Sequence, residues 1–74
     1  MNAAQCRMAR AALQVGIRDI ANMAKVAPGT VSRLEAGEDL KPRTLEAIQH
    51  AFEKAGIVFT NGDEPGVKLR RKKR

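Results

Sequence analysis

Two segments of this chain open on a proline and close on a glycine: Pro28 to Gly37, and Pro42 to Gly56. Proline suits the first position of a helix, where its missing N–H would have had no partner, and glycine supplies the left-handed residue on which helices end. The punctuation predicts two helices with fixed ends and short joints. Apolar spacing agrees with it. In the first segment Val31 and Leu34 lie at i and i+3, leaving Gly29, Thr30, Ser32 and Arg33 for solvent or a ligand. In the second, Leu45, Ile48 and Phe52, with Ala51 and Ala55, make one buried stripe.

Upstream, Cys6, Ala9 and Leu13, with Met8 and Ala12 beside them, form an apolar stripe that predicts a helix over residues 3–13, with Arg7 and Ala11 toward its other side. Gly16 interrupts the pattern, and Val15 before it reads as an apolar plug. Ile17, Ile20, Ala21 and Ala24 fall at i, i+3, i+4 and i+7, a helix of barely two turns that packing must hold. Lys25-Val26-Ala27 connects it to Pro28, with Val26 inward. After Gly56 the period changes to two. Ile57 and Phe59 alternate with Val58 and Thr60, and Val67 and Leu69 with Lys68 and Arg70, across the turn-rich residues 61–66. This predicts a β-hairpin, which must pack on the helices or pair with another chain, because a lone hairpin is barely stable. The expected layout is mainly α: a four-helix unit over 1–56, a short C-terminal hairpin over 57–69, and a basic tail over 70–74 expected to be disordered.

A chain of 74 residues buries only a small core, and its single cysteine cannot close a loop within it. Cys6 therefore reads as a small buried hydrophobe in a reduced, intracellular protein. No apolar run approaches a membrane span or a signal-peptide core, so the expected compartment is the cytoplasm. The net charge of +6 is unevenly spread. Residues 1–33 hold five bases and one acid, residues 34–67 three bases and seven acids, and residues 68–74 six bases. The first two blocks cancel, so the excess equals the tail, and the high pI is not by itself a basic folded surface. His50 stands without a second histidine or a neighbouring cysteine, so no metal or other cofactor is expected. Without a glycine-rich phosphate loop, a Ser/His/Asp set or paired carboxylates, neither an enzyme nor a small-molecule site is expected.

The most informative stretch runs from Asp19-Ile20-Ala21 through Lys25-Val26-Ala27-Pro28-Gly29-Thr30-Val31-Ser32-Arg33-Leu34-Glu35-Ala36-Gly37. Two short helices meet at a three-residue turn with Ala21, Val26, Val31 and Leu34 inward, and the first turns of the second helix project from the body. Over residues 5–55 this resembles the Cro/phage-repressor (XRE) helix-turn-helix family, most specifically in the Thr-Val-Ser-Arg-Leu-Glu-Ala-Gly run. The resemblance implies a lambda-repressor-like domain that binds double-stranded DNA. It assigns base reading to the start of the recognition helix, here Pro28, Gly29, Thr30, Ser32 and Arg33. Arg33 is the sharpest candidate, since guanidinium pairs bidentately with guanine. Lys41 and Arg43, in the loop that follows the DNA backbone in that family, are expected to contact phosphate, with plain surface charge as the alternative. Arg18 and Lys25 are also expected to bind DNA, and Arg10 with Glu35 to form an ion pair between the first helix and the recognition helix, with a phosphate contact by Arg10 as the alternative.

The chain departs from the family in places. The polar N-cap of the recognition helix is Ala27, which weakens capping by about 1 kcal/mol, and the phosphate-binding glutamine that opens the preceding helix is Ile17. Pro28 and Gly29 have no hydrogen-bonding side chain, so discrimination rests on few residues and on DNA shape. That argues for a homodimer on a pseudo-palindromic operator. The family usually has a fifth helix where this chain turns to strands, so Ile57, Phe59, Val67 and Leu69 become the expected dimer surface, by strand pairing or a shared apolar patch. The expected function is a transcription regulator, by default a repressor. A protein-binding regulator on the same fold, antitoxin-like or anti-activator, is the alternative. RNA binding through the tail is disfavoured by the scarcity of aromatic side chains.

Overall fold

The computed structural model describes residues 1–70; residues 71–74, and with them most of the expected tail, lie outside the described residues. Four helices, α1 (Ala3–Leu13), α2 (Ile17–Ala24), α3 (Pro28–Glu35) and α4 (Pro42–Lys54), are followed by strands β1 (Ile57–Thr60) and β2 (Gly66–Leu69). The fold is thus mainly α with a C-terminal hairpin.

Each helix end has a local cause. Asn2 caps α1 reciprocally with Gln5: the Asn2 side chain accepts from the Gln5 N–H at 2.8 Å, and the Gln5 side chain accepts from the Asn2 N–H at 2.9 Å. At α2 the Asp19 carboxylate accepts from the Gly16 N–H at 2.9 Å. Pro28 and Pro42 open α3 and α4, and neither helix has a side-chain cap, as Ala27 at the N-cap of α3 implied. Helices α1 and α2 end on the left-handed residues Gln14 (φ 58°) and Lys25 (φ 59°), whose neighbours Val15 and Val26 donate back to the carbonyls of Arg10 and Ala21.

The core joins all four helices and the first strand. Cys6, Ala9, Ile20, Ala21, Val31 and Ile48 are fully buried, together with Phe52; Leu34, Ala51 and Ile57 are nearly so. Burying a side chain the size of Phe52 or Ile20 contributes about 1.5–3 kcal/mol. Phe59 meets Phe52 edge to face, with ring centroids 6.0 Å apart. Met8, expected beside the α1 stripe, is instead 37% exposed.

The hairpin is antiparallel, with Ile57 opposite Leu69 and Thr60 opposite Gly66. Gly56 makes its entry possible. Its φ is 108°, and a Cβ there would stand 3.2 Å from the Arg70 carbonyl. The Arg70 N–H donates to the Gly56 carbonyl at 2.7 Å, so the first residue of the expected tail is fastened to the sheet. Buried Gln5 clamps the far end of the ladder, its Nε2 donating to the Thr60 carbonyl at 2.7 Å and the Gly66 carbonyl at 3.1 Å.

Three of the four residues expected at a dimer surface pack on the core of their own chain. Ile57 is 2% exposed and belongs to the core of its own chain, while Phe59 and Val67 pack against that core. Among the four residues only Leu69, 47% exposed, keeps its side chain available. The reason is the one that makes isolated hairpins unstable: the apolar face of a two-stranded sheet must be covered, and α1 and α4 are close enough to cover it. Among the described residues no helix is long and apolar enough to cross a membrane.

Candidate nucleic-acid interface

Helix α3 is held at one end and free at the other. Val31 and Leu34 bury its inner face against α1 and α2. At its C-terminal end Glu35 gathers donors from α1. Arg10 reaches its carboxylate through two parallel bonds, Nε to Oε2 at 2.6 Å and Nη2 to Oε1 at 2.8 Å, the fork geometry in which guanidinium binds carboxylate best. The Cys6 Sγ donates to Glu35 Oε2 at 3.3 Å, and Arg7 Nη1 donates to the Glu35 carbonyl oxygen. The Arg10 hydrogen bonds hold the Glu35 carboxyl below its ordinary value, against the opposing effect of its partial burial. Burial, with Glu35 as neighbour, pushes the Cys6 thiol up to about 12.

The first turns of α3 carry no such ties. Pro28, Gly29, Ser32 and Arg33 are exposed and Thr30 is half-buried. Nothing lies within 4 Å of the position a Cβ would take on Gly29. Arg33 Nη2 approaches Thr30 Oγ1 at 3.5 Å, one turn earlier on the same face. Beside that face runs an open groove of about 460 Å³, whose polar lining is Thr30 and Arg33 from α3, Glu38, Asp39 and Lys41 from the following loop, and Thr44.

Of the residues expected to face DNA, Thr30, Arg33 and Lys41 therefore share one groove. Lys25 is exposed at the left-handed end of α2, in the turn before α3. Arg18 and Arg43, in the first turns of α2 and α4, are exposed but outside the groove lining. The geometry also brings in residues that pattern reading passed over. Glu38 and Asp39 put two acids in the groove that Arg33 lines. Arg7, assigned to the outer side of α1, reaches across to α3. Gln5 carried a usable signal, the Asn-x-x-Gln spacing of a capping box ahead of an apolar run. Among the described residues no three His, Cys, Asp or Glu side chains gather as metal ligands.

No family model matches the chain, and neither does any curated protein.

Proposed function

We propose that this chain is a sequence-specific DNA-binding transcription regulator of the helix-turn-helix type, acting in the cytoplasm as a homodimer on a pseudo-palindromic operator and repressing by occupancy. The observation that carries the reading is the asymmetry of α3. Its C-terminal end is fastened to α1 through Glu35, while its outer face presents Thr30, Ser32 and Arg33. A helix held in this way can enter a major groove without first being ordered, and a positioned guanidinium can form two bonds to guanine. Lys41 in the groove lining and the exposed Lys25 in the turn before α3 are suited to phosphates, which fix register without reading sequence.

The family resemblance of residues 5–55 supports the same reading. Glu38 and Asp39 temper it, since acids beside Arg33 lower affinity for any polyanion. Discrimination then depends more on the fit of Arg33 to its base than on bulk charge. Selection of bound sequences from a random DNA pool tests the proposal. The expected result is an enriched motif with two inverted half-sites and a strongly salt-dependent affinity. Failure to enrich any motif, with partner protein retained in place of DNA, would favour the protein-binding alternative.

A further inference from the structure

Hydrogen-bonded pairs alternate along an antiparallel ladder, and the Arg70 N–H to Gly56 carbonyl bond makes residues 56 and 70 one of them. Val58 with Lys68 and Thr60 with Gly66 follow, so the ladder closes on Thr60 and Gly66. The five residues between those two, Asn61-Gly62-Asp63-Glu64-Pro65, are all exposed. The side-chain bonds that reach the hairpin come from Gln5 and end on the Thr60 and Gly66 carbonyls. Among the described residues no backbone bond closes the loop, and the Gly62 N–H has no acceptor.

An asparagine followed by glycine carries a reaction within its own chain. The backbone nitrogen of the glycine gives up its proton and attacks the asparagine Cγ. The bond from Cγ to the side-chain nitrogen breaks, ammonia leaves, and a five-membered imide closes. Water then opens the ring at either carbonyl. One opening leaves aspartate; the other leaves isoaspartate, in which Cβ and Cγ continue the main chain. The sum is asparagine plus water to aspartate or isoaspartate plus ammonia, with no other reactant. A side chain on the attacking residue would crowd the ring. Glycine has none, and nothing stands within 4 Å of the place its Cβ would take.

Three asparagines are present, and the structure separates them. Asn2 precedes Ala3, and its side-chain oxygen is held by the Gln5 N–H at 2.8 Å. Asn22 precedes Met23 inside α2, where the helical ladder engages the nitrogen that would attack. We infer that Asn61 is a site of self-modification, converting in the folded protein to aspartate and isoaspartate through the imide on the Gly62 nitrogen, while Asn2 and Asn22 persist. The product places a third carboxylate in a loop that already holds Asp63 and Glu64. Isoaspartate also lengthens the main chain by one carbon next to Thr60, and so loosens the hold of Gln5 on the end of the ladder.

The full chain is aged in mildly alkaline buffer, folded and in urea, and compared with unaged protein. After trypsin digestion, the peptide of residues 55–68 is expected to gain about 1 Da, and no other asparagine peptide to do so. Isoaspartate in it should accept a methyl group from an isoaspartyl methyltransferase. A loop outside the ladder needs no unfolding to react, so the folded chain should convert within about threefold of the rate in urea. Asn61→Gln, whose ring would need six members, should remove the conversion. A folded chain that stays intact while the chain in urea converts overturns the site, as does equal conversion at Asn2 or Asn22 in the folded chain. The isoaspartyl form, separated by ion exchange, should melt below Asn61→Asp, which carries the charge without the added carbon. Equal melting overturns the loosening of the Gln5 clamp.

Discussion

Glu35 is one residue with four bonded contacts, all to α1. Its carboxylate takes two bonds from Arg10 and one from Cys6, and its carbonyl takes one from Arg7. The pH dependence of stability follows from this cluster. The folded Glu35 carboxyl titrates below its ordinary 4.5, so its stabilisation is complete above that value and is lost as pH falls through the folded value. The Cys6 thiol is raised from 9.0 to about 12, so its contribution is complete below 9.0 and is lost as pH rises toward 12. Tm is therefore expected to hold a plateau between these limits and fall on both sides. The acid limb should shrink in Glu35→Gln, and the alkaline limb in Cys6→Ala. The chain has no tyrosine to blur the alkaline limb. At the reading surface, Arg33→Ala should cost roughly 1–3 kcal/mol on the selected operator while leaving much of the affinity for random DNA. Equal losses on both, measured by titration at fixed salt, would remove Arg33 as a base reader. Its position three residues beyond Thr30 was legible from helical spacing; the acids at its side were not, because a loop's course has no period.

Among the elements, the hairpin shows how far local pattern reaches. The change of period after Gly56 located both strands, and alternation told Ile57 and Phe59 from Val58 and Thr60. Pattern could not tell whether the apolar face met a second chain or the helices of its own. Gln5 marks the outcome. Its side chain joins the start of α1 to both strands, and all its polar atoms are satisfied. Gln5→Leu should destabilise the domain by about 1–3 kcal/mol, since it leaves the Asn2 N–H without its acceptor and unties the strand carbonyls. Hydrogen exchange should localise the effect, with the amides of Val58, Thr60, Gly66 and Lys68 losing more protection than those of α2 and α3. Uniform loss of protection would argue against a clamp.

For the whole molecule, the hairpin shares one core with the four helices. Ile57 lies beneath α4, and Phe59 closes over Phe52. A chain truncated after Gly56 is expected to lose cooperative melting, because the faces of α1 and α4 that carry Gln5 and Phe52 would be opened to water. A sharp transition in the truncated chain, followed by circular dichroism, would show instead that the hairpin is dispensable.

The residues themselves determined where α3 and α4 start and stop and which face most elements bury. Those outcomes depend on a missing N–H at proline, a positive φ at glycine, and apolar spacing, all of which act within a few positions of the chain. Only the tertiary structure decided that Gln5 meets Thr60 and Gly66, that Arg7 crosses to α3, and that Ile57 turns into its own core. These contacts join residues far apart in sequence, and they are set by how helices and strands pack around a small volume. The same packing turned Ile57 and Phe59 of β1 inward and left Val58 at the surface.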